Sequence, residues 1–199
     1  NRKRRKKKIN PKNLDLYLKQ IKNFKSKIIF AFGWSGYLSA KIRRIAPCLI
    51  LHPSKLPKFR GGSPIQNQLL KGVKNSAVSI IEAVDKIDSG DIFFQKKISF
   101  KGYLDDIHNE IISKGSMGAK KIIKQYKSIN LKCIKQKNKF ASYYKRRTPK
   151  MSEILYSDFK KHKAEYFYNL IRGLQKPYPE AFIRCKGNSK LYFEKVYFK

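Results

Sequence analysis

Two short, unbroken apolar runs constrain this chain more than any other feature. Lys27-Ile-Ile-Phe-Ala-Phe-Gly33 is apolar until its closing glycine, and Cys48-Leu-Ile-Leu-His52 is apolar until its final histidine. Runs of this length without polar alternation suit strands covered on both faces, as in the interior of a parallel sheet. Between them Tyr37–Ile45 has a helical pattern, which Pro47 stops. Asn13–Phe24, with Leu14, Leu16, Leu18 and Ile21 among polar residues, reads as a short preceding helix. Ser63-Pro64 supplies an N-cap and a proline at the first helical position for Ile65–Lys71. Ala77–Val84 and Asp91–Ile98 read as the third and fourth strands, on either side of the turn Asp88-Ser-Gly-Asp91. Leu104–Tyr126 follows as a long helix, with Asp105 and Asp106 at the positive end of its dipole. The alternation predicts an α/β fold: a mostly parallel sheet with helices on both faces.

The tail reads differently. Ser142–Pro149 is a polar, basic connection, and Ser157–Gln175 is a helix with Phe159, Tyr166, Phe167, Leu170 and Leu174 as its apolar positions. Phe182–Arg184 and Leu191–Tyr197 flank Gly187-Asn-Ser and predict a terminal hairpin. The expected organisation is a basic leader without fixed structure over 1–12, a core over 13–140 and a small helix–hairpin extension over 141–199.

At 199 residues, with 41% hydrophobic and 30% charged, the composition is that of a globular chain with a sizeable core. The formal net charge of +34 invites a nucleic-acid partner. The charge is spread along the whole chain and is mostly lysine, however, so a solvated lysine surface is the preferred reading, with a phosphate-binding role for the N-terminal cluster left open. Cys48, Cys133 and Cys185 are scattered, as are His52, His108 and His162, which argues against a disulfide scaffold and against a metal site. No apolar run is long enough for a membrane helix and the basic start lacks the apolar core of a secretory signal, so the expected location is cytoplasmic.

His52 and Asp88 carry the chemistry. Each follows a predicted strand, and one strand–helix–strand passage separates them, so both can face the crevice at the carboxyl ends of the strands. A carboxylate can fix the tautomer of an imidazole while the other ring nitrogen faces substrate. On position alone this is weak, because a lone histidine is more often structural and an aspartate before Ser-Gly is usually a turn former.

The surrounding sequence adds to it. Leu51-His-Pro-Ser-Lys-Leu-Pro-Lys-Phe-Arg-Gly-Gly-Ser-Pro-Ile-Gln66 and Lys86-Ile-Asp-Ser-Gly-Asp-Ile92 resemble the two signature blocks of the formyltransferases that use 10-formyltetrahydrofolate. Ala31-Phe-Gly33, Tyr143-Tyr-Lys-Arg-Arg-Thr-Pro149 and Pro177-Tyr-Pro179 extend the resemblance, which runs from about Lys27 to Tyr197. It implies a Rossmann-like formyltransferase fold, with His52 and Asp88 as two of the family's three catalytic residues. It implies that an amine attacks the formyl carbon, that His52 donates to the resulting oxyanion, and that Asp88 accepts the amine proton. It also implies that 10-formyltetrahydrofolate is held near Phe32, Gly33, Trp34, Val84, Asp85 and Lys86, with no metal. Ser54, Arg60, Gly61 and Gln66 are expected in the loop that shapes the substrate site.

Two departures stand out. The family carries an asparagine two residues before the histidine, where this chain has Ile50; Ser54 or Asn67 is the expected replacement donor. The family's first βα units are absent before Ala31, so the sequence is expected to be N-terminally incomplete. For the acceptor, the resemblance leaves three readings: a nucleotide-linked amino sugar for surface polysaccharide, which is preferred; initiator methionyl-tRNA; and an inactive, formyltransferase-like binding module. Arg146 and Arg147 would suit the phosphates of either acceptor. A homodimer is also allowed.

Overall fold

The computed structural model describes residues 14–127 and 131–197; the basic leader at 1–12 lies outside the described residues. Along the chain these form α1 (Leu18–Asn23), β1 (Ile29–Ala31), α2 (Ala40–Arg43), β2 (Cys48–His52), β3 (Arg60–Gly61), α3 (Pro64–Leu70), β4 (Asn75–Glu82), β5 (Ile92–Ser99), α4 (Leu104–Lys127), β6 (Tyr143–Tyr144), α5 (Asp158–Lys161), α6 (Ala164–Gly173), β7 (Ala181–Arg184) and β8 (Lys190–Phe193). The main sheet has the order β1-β2-β4-β5.

β2 shows why helices cover both faces, as expected. Cys48 and Ile50 pack with Leu38 and Ile42 beside α2 and with Leu14 and Leu18 beyond it. Leu49 meets Ile80, Phe94 and Ile122, and Leu51 meets Val78, Ile107 and Ile111, so the opposite face lies under α4. Period-two alternation divides one apolar strand between two cores. Each leucine or isoleucine buried this way stabilises the fold by about 1.5–3 kcal/mol.

The expected direction of the strands needs correction. β1 and β2 are parallel, but β2–β4 and β4–β5 are antiparallel. Residues 83–91 join β4 to β5, and a parallel neighbour would need a crossover of a dozen residues or more, usually carrying a helix.

Two further expectations shift locally. Pro64 opens α3 as anticipated, but Ser63 has left-handed backbone (φ 48°) and its side chain does not cap the helix. Ser63 Oγ instead accepts the Arg147 N–H at 3.0 Å. The long helix over Ser157–Gln175 is divided into α5 and α6 by extended backbone at His162 and Lys163. The break lets Phe159 stack on Phe167 with centroids 4.7 Å apart. In a continuous helix, eight positions would separate those rings by roughly 12 Å along the axis.

In the tail, Ile154, Leu170, Ile171, Leu174 and Ala181 form a separate core, and the expected hairpin is present as β7 and β8. No described helix is long and apolar enough to cross a membrane.

Candidate active site

His52 ends β2 and is buried. Its Nε2 lies 2.8 Å from the Phe59 carbonyl, which places the ring N–H there as the donor. Its Nδ1 lies 3.4 Å from Asp88 Oδ2. The loop after β2 fixes the Phe59 carbonyl: Ser54 Oγ donates to the Lys58 carbonyl at 2.7 Å, and the Phe59 N–H donates to Ser142 Oγ at 2.9 Å. Asp88 has left-handed backbone (φ 50°), which aspartate tolerates better than most residues. Its Oδ2 also accepts the Gly61 N–H at 2.7 Å. Gly61 has φ 95°, and a Cβ there would run into the Tyr144 carbonyl, so only glycine serves.

With its Nε2–H on the Phe59 carbonyl, the ring turns Nδ1 toward Asp88 Oδ2. A proton on Nδ1 would make that contact a charge-assisted hydrogen bond. A ring nitrogen left free for substrate was the sequence expectation; here both nitrogens face protein groups.

The pair sits in the wall of a cavity of about 1240 Å³. Phe32, Gly33, Trp34, Val84, Gly61 and Gln66 line it with them. Gln66 is buried and donates its Nε2 to the Gly173 carbonyl at 3.0 Å. Asp85, Lys86, Ser54 and Arg60 are not in the wall. Asp85 is exposed, paired with Arg43 Nη2 and accepting from the Tyr37 hydroxyl at 3.0 Å; the Arg43 hydrogen bond, then that of Tyr37, pulls its carboxyl below the usual value. Lys86 Nζ lies 5.8 Å from the Tyr143 ring centroid. Ser54 and Arg60 are fully buried inside the supporting loop.

Ile50 does line the cavity, and neither expected replacement donor does. Ser54 Oγ is committed to Lys58, and Asn67 Nδ2 donates to the Gly62 carbonyl at 2.8 Å. Trp34 Nε1 and Arg147 Nε are the buried side-chain nitrogens without a partner among the described residues, and both belong to cavity-lining residues. Buried donors are normally satisfied, so these two are free to meet acceptor atoms of a ligand in the cavity.

Sequence reasoning passed over the α4 face of the cavity: His108, Ile111, Ile112, Gly115 and Ser116, with Tyr178 opposite His108 at 6.4 Å between ring centroids. The signal was their helical spacing. Burial lowers the His108 pKa against a raising effect from Asp105, which favours a neutral ring. Lys145, Arg146 and Arg147 also line the cavity, where Asp88 is the sole carboxylate among the described lining residues. Burial lowers the Arg147 pKa. The wall thus has excess positive charge and suits an anionic ligand.

Known proteins match the sequence and the fold of this chain. The formyl transferase family model matches residues 3–123. Methionyl-tRNA formyltransferase of Halalkalibacterium halodurans is 32% identical over 142 residues, 70% of this chain and 43% of its own length. The chain therefore spans less than half of that relative. The structure of methionyl-tRNA formyltransferase from Clostridium thermocellum superposes with a TM-score of 0.80 at 30% identity, over 94% of this chain and 79% of that one. A sugar 3N-formyltransferase, WlaRD, solved in the presence of dTDP and 5-N-formyl-THF, shares the fold with a TM-score of 0.62 at 22% identity, over 73% of this chain and 53% of that one. With a family model over more than half of its length and relatives at 30% identity or above, the chain belongs to the formyl transferase family.

Proposed function

We propose that this chain transfers a formyl group from 10-formyltetrahydrofolate to the primary amine of a nucleotide-linked amino sugar. The observation that carries the reading is the His52–Asp88 pair in the wall of a cavity that also presents Lys145, Arg146 and Arg147. The folate supplies the formyl carbon as an acyl electrophile. Phe32, Gly33, Trp34 and Val84 form the wall assigned to its pterin. Asp88 takes the proton that the attacking amine must lose, and His52 shares it through Nδ1. A carbon–nitrogen bond to the acceptor forms, the bond to the folate nitrogen breaks, and the proton ends on the departing nitrogen. The three cations meet the diphosphate of the acceptor.

Likeness to a sugar formyltransferase solved with dTDP supports this acceptor at the level of fold. Initiator methionyl-tRNA is the second reading, favoured by identities of 32% and 30% to two methionyl-tRNA formyltransferases. Incubation with 10-formyltetrahydrofolate and a panel of amino-sugar nucleotides, with methionyl-tRNA in parallel, separates the readings. Formylated sugar nucleotide is expected, lost in His52→Ala. Product on tRNA alone, with binding that weakens steeply with salt, would transfer the assignment to tRNA. No turnover on either acceptor would leave a binding module and sink the enzyme reading.

A further inference from the structure

The Asp88 turn is held from two directions. From one side, the Gly61 N–H donates to its carboxylate at 2.7 Å. From the other, Gln136 Nε2 donates to the Asp88 carbonyl at 3.0 Å and the Gly90 carbonyl at 2.7 Å. Gly90 packs so closely on β4 that a Cβ there would run into the Glu82 carbonyl.

The other end of Gln136 meets a charge. Its Oε1 accepts from Arg60 Nε at 3.1 Å and Nη2 at 2.6 Å. Arg60 is fully buried, and its Nη1 donates to Asn138 Oδ1 at 3.0 Å and the Tyr143 hydroxyl at 2.6 Å. Among the described residues no carboxylate lies within ion-pair distance of it. A buried guanidinium satisfied only by neutral oxygens polarises them strongly in a low-dielectric interior. Two donors drawing on Oε1 strengthen the amide N–H groups at the far end. Gln136 itself is absent from the cavity wall.

We propose that Gln136 is a positioning residue: it transmits the field of buried Arg60 to the Asp88 turn and thereby sets the carboxylate against His52 Nδ1. The proposal rests on the reading of His52 and Asp88 as the catalytic pair. It predicts that the link, rather than packing around it, governs the state of the imidazole.

Gln136→Glu separates the two. The glutamate keeps oxygens for Arg60 but has no N–H for the Asp88 and Gly90 carbonyls. Two carbonyls lose their donor, so the melting temperature is expected to fall modestly in a protein that still folds, while the ¹⁵N signature of the His52 ring moves away from that of an Nε2-protonated imidazole facing a carboxylate. Formyl-transfer kcat should fall about 10-fold to 100-fold with the acceptor KM unchanged, by analogy with the loss seen when hydrogen bonds that orient metal ligands are cut. An unchanged ¹⁵N signature in a folded Gln136→Glu protein overturns the proposal. Should that variant not fold, Gln136→Asn carries the same groups one methylene short and must move the same signature. A moved signature alongside an inactive wild type supports the link and counts against the transferase reading alone.

Discussion

Ile50 stands in the cavity wall two residues before the buried imidazole, packed beside Trp34, Ala83 and Ile42. Its side chain can donate nothing, and removing one donor from an oxyanion site costs on the order of 10²–10³ in rate. Ile50→Asn is therefore expected to raise formyl transfer by about tenfold or more, while the polar group in an apolar cluster lowers stability by roughly 1–3 kcal/mol. Steady-state kinetics with a parallel thermal melt reads both. A folded Ile50→Asn protein no faster than wild type would mean that another group already meets the developing charge. Ile50, His52 and Asp88 were all legible in the sequence because local motifs carry them. Gln136 was not: it acts on Asp88 across 48 residues of sequence, and nothing around it marks an amide that reads two carbonyls.

Among the elements, α4 packs against the main sheet through glycines three positions apart, Gly118 over β4 and β5 and Gly115 over β2. A Cβ on Gly118 would come within 2.6 Å of both Ile80 Cδ1 and Phe94 Cδ1, whereas at Gly115 it would meet chiefly the tip of Leu51. Alanine in a helix interior gains about 1 kcal/mol over glycine, and overpacking a core costs about 1–3 kcal/mol. Gly118→Ala should thus lower the melting temperature, and Gly115→Ala should leave it unchanged or raise it, since one leucine rotamer relieves the contact. Equal losses in both variants would contradict this account. The elements themselves were readable: β2 matches its apolar run to the residue, and α4 its periodic stretch to within a residue at its end. Strand direction was not, since a strand buried on both faces looks alike in either orientation and only the short connection 83–91 distinguishes them. The α5–α6 break was hidden too, because the Phe159–Phe167 stacking that accompanies it is a tertiary contact that periodicity does not register.

Across the whole molecule, 47 Lys and Arg oppose 13 Asp and Glu. Such an excess repels itself, so compactness comes at an electrostatic cost that salt relieves. The melting temperature is expected to rise by several degrees between about 0.02 M and about 0.3 M NaCl, where the Debye length falls from roughly 20 Å to below 10 Å. A fall over the same range would show that attractive surface pairs dominate. One long-range contact has a consequence for the order of assembly. β3 pairs Arg60 with Tyr143 and Gly61 with Tyr144, and Ser142 holds the Phe59 amide across 83 residues. A chain leaving the ribosome exposes its imidazole and carboxylate well before that clasp has been synthesised. The clasp on these two groups closes only when residues 136–144 arrive, so a nascent chain carries both groups over the 48 residues between Asp88 and Gln136 before the clasp exists.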